Sequence, residues 1–156
     1  MNMYNYKEYF GLVDDLVTKV DDSSANVENV EFNCVIGLLR GGYIPAEALS
    51  RSLDIPLVLT KITSYNNRIQ GNMIISEIIN ERHIKGNVLV VDDLIDSGNT
   101  LKFFIEYLKE NYDIDSVKTA VMWNKDVERD IEPDFFSIRT PKEEWIKLPL
   151  EKYGGD

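Results

Sequence analysis

Val88-Leu89-Val90-Val91-Asp92-Asp93-Leu94-Ile95-Asp96-Ser97-Gly98-Asn99-Thr100 changes character twice along its length. It opens as an unbroken apolar run, the pattern of a parallel strand covered on both faces. It ends abruptly in acid, and then offers hydroxyls, a glycine and an amide just before a helical stretch from about Leu101 to Asn111. The inward face of that stretch would hold Phe104, Ile105 and Leu108. A buried strand feeding a helix through a polar turn is the repeating unit of an α/β domain.

The flanking sequence repeats the unit. Phe10, Val13, Leu16, Val17 and Val20 fall at three- and four-residue spacings, which predicts an amphipathic helix over Tyr6 to Val20, followed by a polar loop from Asp21 to Asn29. The β-branched run Phe32 to Leu38 reads as the first core strand. Arg40-Gly41-Gly42 then breaks the chain, Ile44 to Leu53 resumes helical spacing with Pro45 in its first turn, and Pro56 to Ile62 is strand-like. Thr63 to Gly71 lacks periodicity and reads as a loop, with a short strand over Met73 to Ile79 beyond it. Val117 to Trp123 and Phe135 to Ile138 supply two further strands, and Thr140 to Asp156 reads as an irregular tail. Strands separated by helices predict a mainly parallel central sheet flanked by helices.

At 156 residues, 44% of them apolar, the chain can bury one sizeable core, so a single domain over 1–156 is expected. A formal net charge of −10 would repel a polyphosphate backbone, which argues against nucleic-acid binding. The one cysteine, Cys34, sits in an apolar strand and has no internal partner for a disulfide. With neither a leader pattern nor a long apolar span, the expectation is a soluble, cytoplasmic protein that does not engage membranes.

In open parallel sheets, ligands bind beyond the carboxyl ends of the strands, where Asp92 to Thr100 falls. Ser97, Gly98, Asn99 and Thr100 place hydroxyls and backbone N–H groups at a helix N-terminus, a cradle for one phosphate. The lysine of a nucleoside-triphosphate loop is missing, which disfavours a triphosphate. The preceding carboxylates suit ribose hydroxyls and a magnesium ion, a hard cation that prefers oxygen. The bland alternative is a solvated acidic turn or helix cap. A second rival, the aspartate-rich motif of prenyl-chain enzymes, requires a long helix in an all-helical protein, and the β-branched strand before Asp92 opposes it.

Val90 to Thr100 resembles the phosphoribosyl-pyrophosphate-binding signature of type I phosphoribosyltransferases. Gly37-Leu38-Leu39-Arg40-Gly41-Gly42-Tyr43-Ile44-Pro45-Ala46 is similar to the pyrophosphate loop of their purine salvage branch. The resemblance implies that fold, with a small hood formed by the C-terminal tail. It also implies that Leu39, Arg40, Gly41 and Gly42, with Asp92, Asp93 and Asp96 to Thr100, bind phosphoribosyl pyrophosphate, and that the Leu39–Arg40 peptide is cis. Two glycines let the backbone approach a pyrophosphate, and a guanidinium can fork across its oxygens.

For the acceptor, Lys125 matches a family lysine that donates to the exocyclic oxygen of a 6-oxopurine, and Trp145 and Ile146 match a base-binding segment. The surrounding Pro133-Asp134-Phe135-Phe136 resembles the family's Pro-Asp-Tyr-Tyr, whereas Leu150 stands where the family usually has a second tryptophan. Asp96 would be the general base at the purine N7. Magnesium would sit by Asp92 and Asp93, with Glu151 aiding a second ion, and Ser64-Tyr65 would belong to a loop closing over the intermediate. The implied reaction is purine salvage: transfer of 5-phosphoribosyl to guanine, xanthine or hypoxanthine with release of pyrophosphate. A homodimer or tetramer is usual among relatives. Two alternatives stay open: a non-catalytic sensor of phosphoribosyl pyrophosphate, and transfer to a pyrimidine or other base.

Overall fold

Runs of β-branched residues alternate with helical spacing along the chain, and the computed structural model, which describes residues 2–26, 31–64 and 73–154, turns that alternation into layers. In chain order the elements are β1 (Asn2–Met3), α1 (Tyr6–Asn26), β2 (Cys34–Leu38), α2 (Tyr43–Leu53), β3 (Leu57–Thr60), β4 (Ile62–Ser64) and β5 (Met73–Ile75). A 3-10 turn at Glu81–His83 follows, then β6 (Gly86–Ile95), α3 (Asn99–Asn111), β7 (Ile114–Asp126), β8 (Phe135–Pro141), β9 (Ile146–Lys147) and a 3-10 segment at Pro149–Tyr153.

The central sheet has five strands in the order β3-β2-β6-β7-β8, and every neighbouring pair is parallel. Alternate side chains of each strand feed two cores, as the two-residue period requires. Val35, Leu89, Val91, Ala120 and Met122 pack with Val13 and Leu16 of α1 and with Ala46 and Leu49 of α2. Cys34, Ile36, Val88, Val90 and Val121 face Leu101, Phe104 and Leu108 of α3. The α/β expectation with a mainly parallel sheet is met. Among the described residues, no helix is long and apolar enough to cross a membrane.

Several boundaries depart from the sequence reading. Helix α1 does not stop at Val20 but continues to Asn26, supported from α2 by the Ser52 hydroxyl, which donates to Asp21 Oδ2 at 2.6 Å. Phe10, expected on its inward face, is 46% exposed, and Tyr9 is buried instead. The expected strand over Pro56 to Ile62 is two strands, β3 and the short β4, which pairs antiparallel with β5. Strand β6 does not end at the acids: its ladder to β7 continues through Asp92↔Val121 and Leu94↔Trp123 to Ile95↔Asn124. Ile105 is only partly buried, and Leu101 takes its place in the core.

The tail is not irregular throughout. Strand β9 pairs in parallel with β1, Asn2 opposite Ile146 and Met3 opposite Lys147. The Asn2 amide donates to the Trp145 carbonyl at 2.7 Å, and the Tyr4 amide to the Lys147 carbonyl at 3.2 Å. Tyr4 lies edge-on to Trp123, ring centroids 5.0 Å apart, so this end of the chain is also held by packing.

Candidate active site

The carboxyl ends of β2, β6 and β7 bring three loops together. After β2, the backbone turns through a cis Leu39–Arg40 peptide into Gly41 and Gly42. Neither glycine has room for a side chain: a Cβ on Gly42 would stand 2.5 Å from the Val91 carbonyl oxygen, and one on Gly41 would stand 2.2 Å from Asp93 Oδ2. Loop and acids are therefore in direct contact.

At the end of β6 the two adjacent acids are oriented by the main chain. The Asp93 amide donates to Asp92 Oδ1 and the Leu94 amide to Asp93 Oδ1, each at 2.8 Å. Each carboxylate thus keeps one oxygen without such a bond. Burial, then the neighbouring charge of Asp93, holds Asp92 well above the ordinary carboxylate range.

The third loop leads from β6 into α3 through Ser97 and Gly98. Gly98 adopts φ 83°, a left-handed conformation that only glycine takes without strain, and it caps α3. The Asn99 amide donates to the Ser97 hydroxyl at 3.3 Å, and the Lys102 amide to the Gly98 carbonyl at 2.9 Å. Thr100 follows in the first turn, whose leading N–H groups have no acceptor within the helix.

At the end of β7, Lys125 is nearly buried, and its Nζ lies 3.9 Å from Asp96 Oδ2. The register explains the meeting, because Ile95 pairs with Asn124 and the next residue on each strand is Asp96 or Lys125. A cation and an acceptor therefore stand side by side at the rim of the sheet.

A cavity of about 550 Å³ opens beside these loops. Leu39, Arg40, Gly41, Asp92 and Asp93 line it together with Tyr6, Tyr9 and Phe10 of α1, Ile44, Lys61 and the tail from Leu148 to Glu151. Leu150, in the place of the expected tryptophan, forms part of this wall. The contribution of α1 and Lys61 was not expected from the sequence. Phe10 looked like a core residue, and Lys61 interrupts a strand-like run, which is the one local signal it gives. Burial, and secondarily the charge of Asp93, pushes the Tyr9 phenol above its usual range.

Other expected site residues lie apart from the cavity. Ser97 to Thr100 and Lys125 are not in its lining. Trp145 is 67% exposed and stacks on nothing among the described residues, while Ile146 points into the core. Glu151 shares the cavity with Asp92 and Asp93, but its Oε2 accepts the Leu148 amide at 3.1 Å. Among the described residues no three acidic, imidazole or thiolate groups close into a metal-holding cluster, so Asp92 and Asp93 stand as an adjacent pair with Glu151 elsewhere on the cavity wall. Of the expected loop Thr63 to Gly71, Thr63 and the backbone of Ser64 belong instead to β4, and residues 65–71, Tyr65 included, fall outside the described residues.

Comparison with known proteins adds an independent line. The phosphoribosyl transferase domain matches residues 2–149. Xanthine-guanine phosphoribosyltransferase of Chromohalobacter salexigens is 38% identical over 81 residues, covering 51% of this chain and 49% of that protein. The enzyme of that name from Cereibacter sphaeroides is likewise 38% identical over 81 residues, covering 48% of this chain and 47% of that protein. The chain thus spans about half the length of each of these two relatives. The Idiomarina loihiensis enzyme is 29% identical over 126 residues, covering 79% of this chain and 73% of its own. A purine phosphoribosyltransferase from Pyrococcus horikoshii superposes with TM-score 0.75 and 29% identity, covering 96% of this chain and 92% of that one.

Proposed function

Since the chain belongs to the phosphoribosyl transferase domain family, we propose that it transfers the 5-phosphoribosyl group of phosphoribosyl pyrophosphate to a 6-oxopurine and releases pyrophosphate. The observation that carries this reading is the pairing of Lys125 with Asp96, Nζ to Oδ2 at 3.9 Å. In a 6-oxopurine, the exocyclic oxygen and N7 are neighbours on one edge. An ammonium can donate to the oxygen while the adjacent carboxylate accepts the N7 proton. Adenine offers an amino donor where the ammonium also donates, and two donors repel. The names of the relatives agree with this reading.

Attack of a ring nitrogen on the anomeric carbon builds positive charge on the sugar and negative charge on the departing pyrophosphate. The guanidinium of Arg40 and the backbone at Gly41 and Gly42 would bind the leaving group. Ser97 to Thr100 would anchor the 5-phosphate at the start of α3. Asp92 and Asp93 would contact ribose hydroxyls, and Asp96 would take the N7 proton as the base is alkylated. Ser64 and Tyr65 would belong to a loop that closes over the reacting atoms.

The acids also fit a magnesium ion. Two adjacent carboxylates, each with an oxygen that accepts no main-chain bond among the described residues, with burial and then the charge of Asp93 opposing ionisation of Asp92, are a donor set that a hard dication stabilises. Asp92 and Asp93 would hold the ion. When bound, it would neutralise charge on the leaving group.

The test is magnesium-dependent pyrophosphate release from phosphoribosyl pyrophosphate with guanine, xanthine, hypoxanthine, adenine, uracil or orotate supplied separately. Release with 6-oxopurines alone is expected. Release only with uracil or orotate would move the chain to a pyrimidine reaction. Silence with every base, together with tight phosphoribosyl-pyrophosphate binding, would make it a sensor.

A further inference from the structure

Arg129 lies in the loop between β7 and β8, and its side chain is 2% exposed. Its guanidinium reaches back to the end of β7. Nη1 donates to the Lys125 carbonyl and to the Val127 carbonyl, each at 3.0 Å, and Nη2 donates to the Lys125 carbonyl at 3.1 Å and to the Asn124 side-chain oxygen. Asn124, fully buried, in turn donates through Nδ2 to Glu132 Oε2 at 3.5 Å.

The stem of the same side chain runs close to the turn that starts α3. A Cβ built on Gly98 would stand 3.4 Å from Arg129 Cδ and 2.5 Å from Ile131 Cγ2 of the same loop. One residue therefore abuts both the turn that starts α3 and the backbone from which Lys125 projects.

Electrostatics make the arrangement unusual for a purely structural arginine. A buried cation is costly unless a carboxylate neutralises it. Its carboxylate partner among the described residues, Glu132, is itself half exposed and lies 3.8 Å from Nε, and Nε makes no hydrogen bond among those residues. The guanidinium directs its hydrogen bonds to neutral oxygens of Asn124, Lys125 and Val127, and Glu132 is its carboxylate neighbour among the described residues.

We propose that Arg129 is a positioning residue that fixes Lys125 for base recognition and supports the phosphate cradle at Gly98 through the same guanidinium and stem. The inference rests on the reading of Lys125 as the group that faces the 6-oxo oxygen. Arginine is required because its planar fork spans one carbonyl with two nitrogens while reaching two neighbours, and an ammonium cannot do this.

Initial-rate kinetics on Arg129→Ala, Arg129→Lys and Lys125→Met, each checked for folding by circular dichroism, test it. Arg129→Ala and Arg129→Lys should each raise KM for the 6-oxopurine and for phosphoribosyl pyrophosphate by about tenfold to a hundredfold, the worth of one or two charge-assisted hydrogen bonds. The effect on kcat should be smaller. Millimolar guanidinium should restore part of the lost affinity to Arg129→Ala and none to Lys125→Met. Wild-type KM values for both substrates in folded Arg129→Lys would overturn the inference, as would a loss in Arg129→Ala that guanidinium leaves untouched. The reading of Lys125 fails separately: it falls if Lys125→Met keeps the wild-type KM for 6-oxopurines, and the inference falls with it. If Lys125→Met raises that KM and the Arg129 variants do not, the inference alone is wrong.

Discussion

Asp92 sits where ionisation is discouraged by burial and by Asp93 beside it. The folded chain therefore binds more protons than the unfolded chain between the ordinary carboxylate value and the raised one, and stability falls as pH climbs through that window. Asp92→Asn should flatten this dependence in urea titrations run across that range, leaving the ligand-free protein more stable near neutral pH. Magnesium with pyrophosphate should recover stability in the natural protein and much less in the variant. Gly41 is constrained in a different way, since any side chain would collide with Asp93. Gly41→Ala should abolish phosphoribosyl-pyrophosphate binding by calorimetry while leaving the fold intact. Asp96, 59% exposed at its side chain, has freedom to exchange Lys125 for a base. Asp96→Asn should spare phosphoribosyl-pyrophosphate binding and lower kcat by about 10²–10⁴-fold, the usual worth of a general base. Unchanged turnover would remove Asp96 from that role.

Helix α3 joins stability to the cradle, because Leu101 packs in its first turn while Leu108 packs two turns further on. Truncating either to alanine should cost about 2–5 kcal/mol in chemical denaturation. Only Leu101→Ala should also weaken phosphoribosyl-pyrophosphate binding, and equal binding losses in both would show that the cradle does not depend on its local packing. This unit was legible in the sequence because strand, glycine turn and helix are short-range signals carried by Val88 to Leu108. The order of glycine turn after β2 and acidic turn in β6 was legible for the same reason. What escaped depends on distant partners. The low strand propensity of Asp92 and Asp93 is outweighed by the ladder to β7. Helix α1 outlasts its apolar stripe because α2 supplies a partner to Asp21. Arg129 belongs to no motif or periodic stretch, and only the fold buries it and brings its stem near Gly98.

At the scale of the whole molecule, a net charge of −10 sets the long-range field. Duplex DNA should show no salt-dependent retention between about 50 and 200 mM salt, the range over which phosphate-binding proteins lose most of their affinity. Retention that fades with salt would instead favour a regulatory role. The pairing of β1 with β9 acts across the whole chain, as it brings Asn2 against Ile146. No shorter stretch contains both halves of that ladder. During synthesis the sheet and both phosphate-facing loops can leave the ribosome while the first strand still waits for its partner. The wall that Leu148 to Glu151 add to the cavity takes its seat only after both. A nascent chain halted before β9 would hold the acids of β6 and the turn into α3 but present them through an open side.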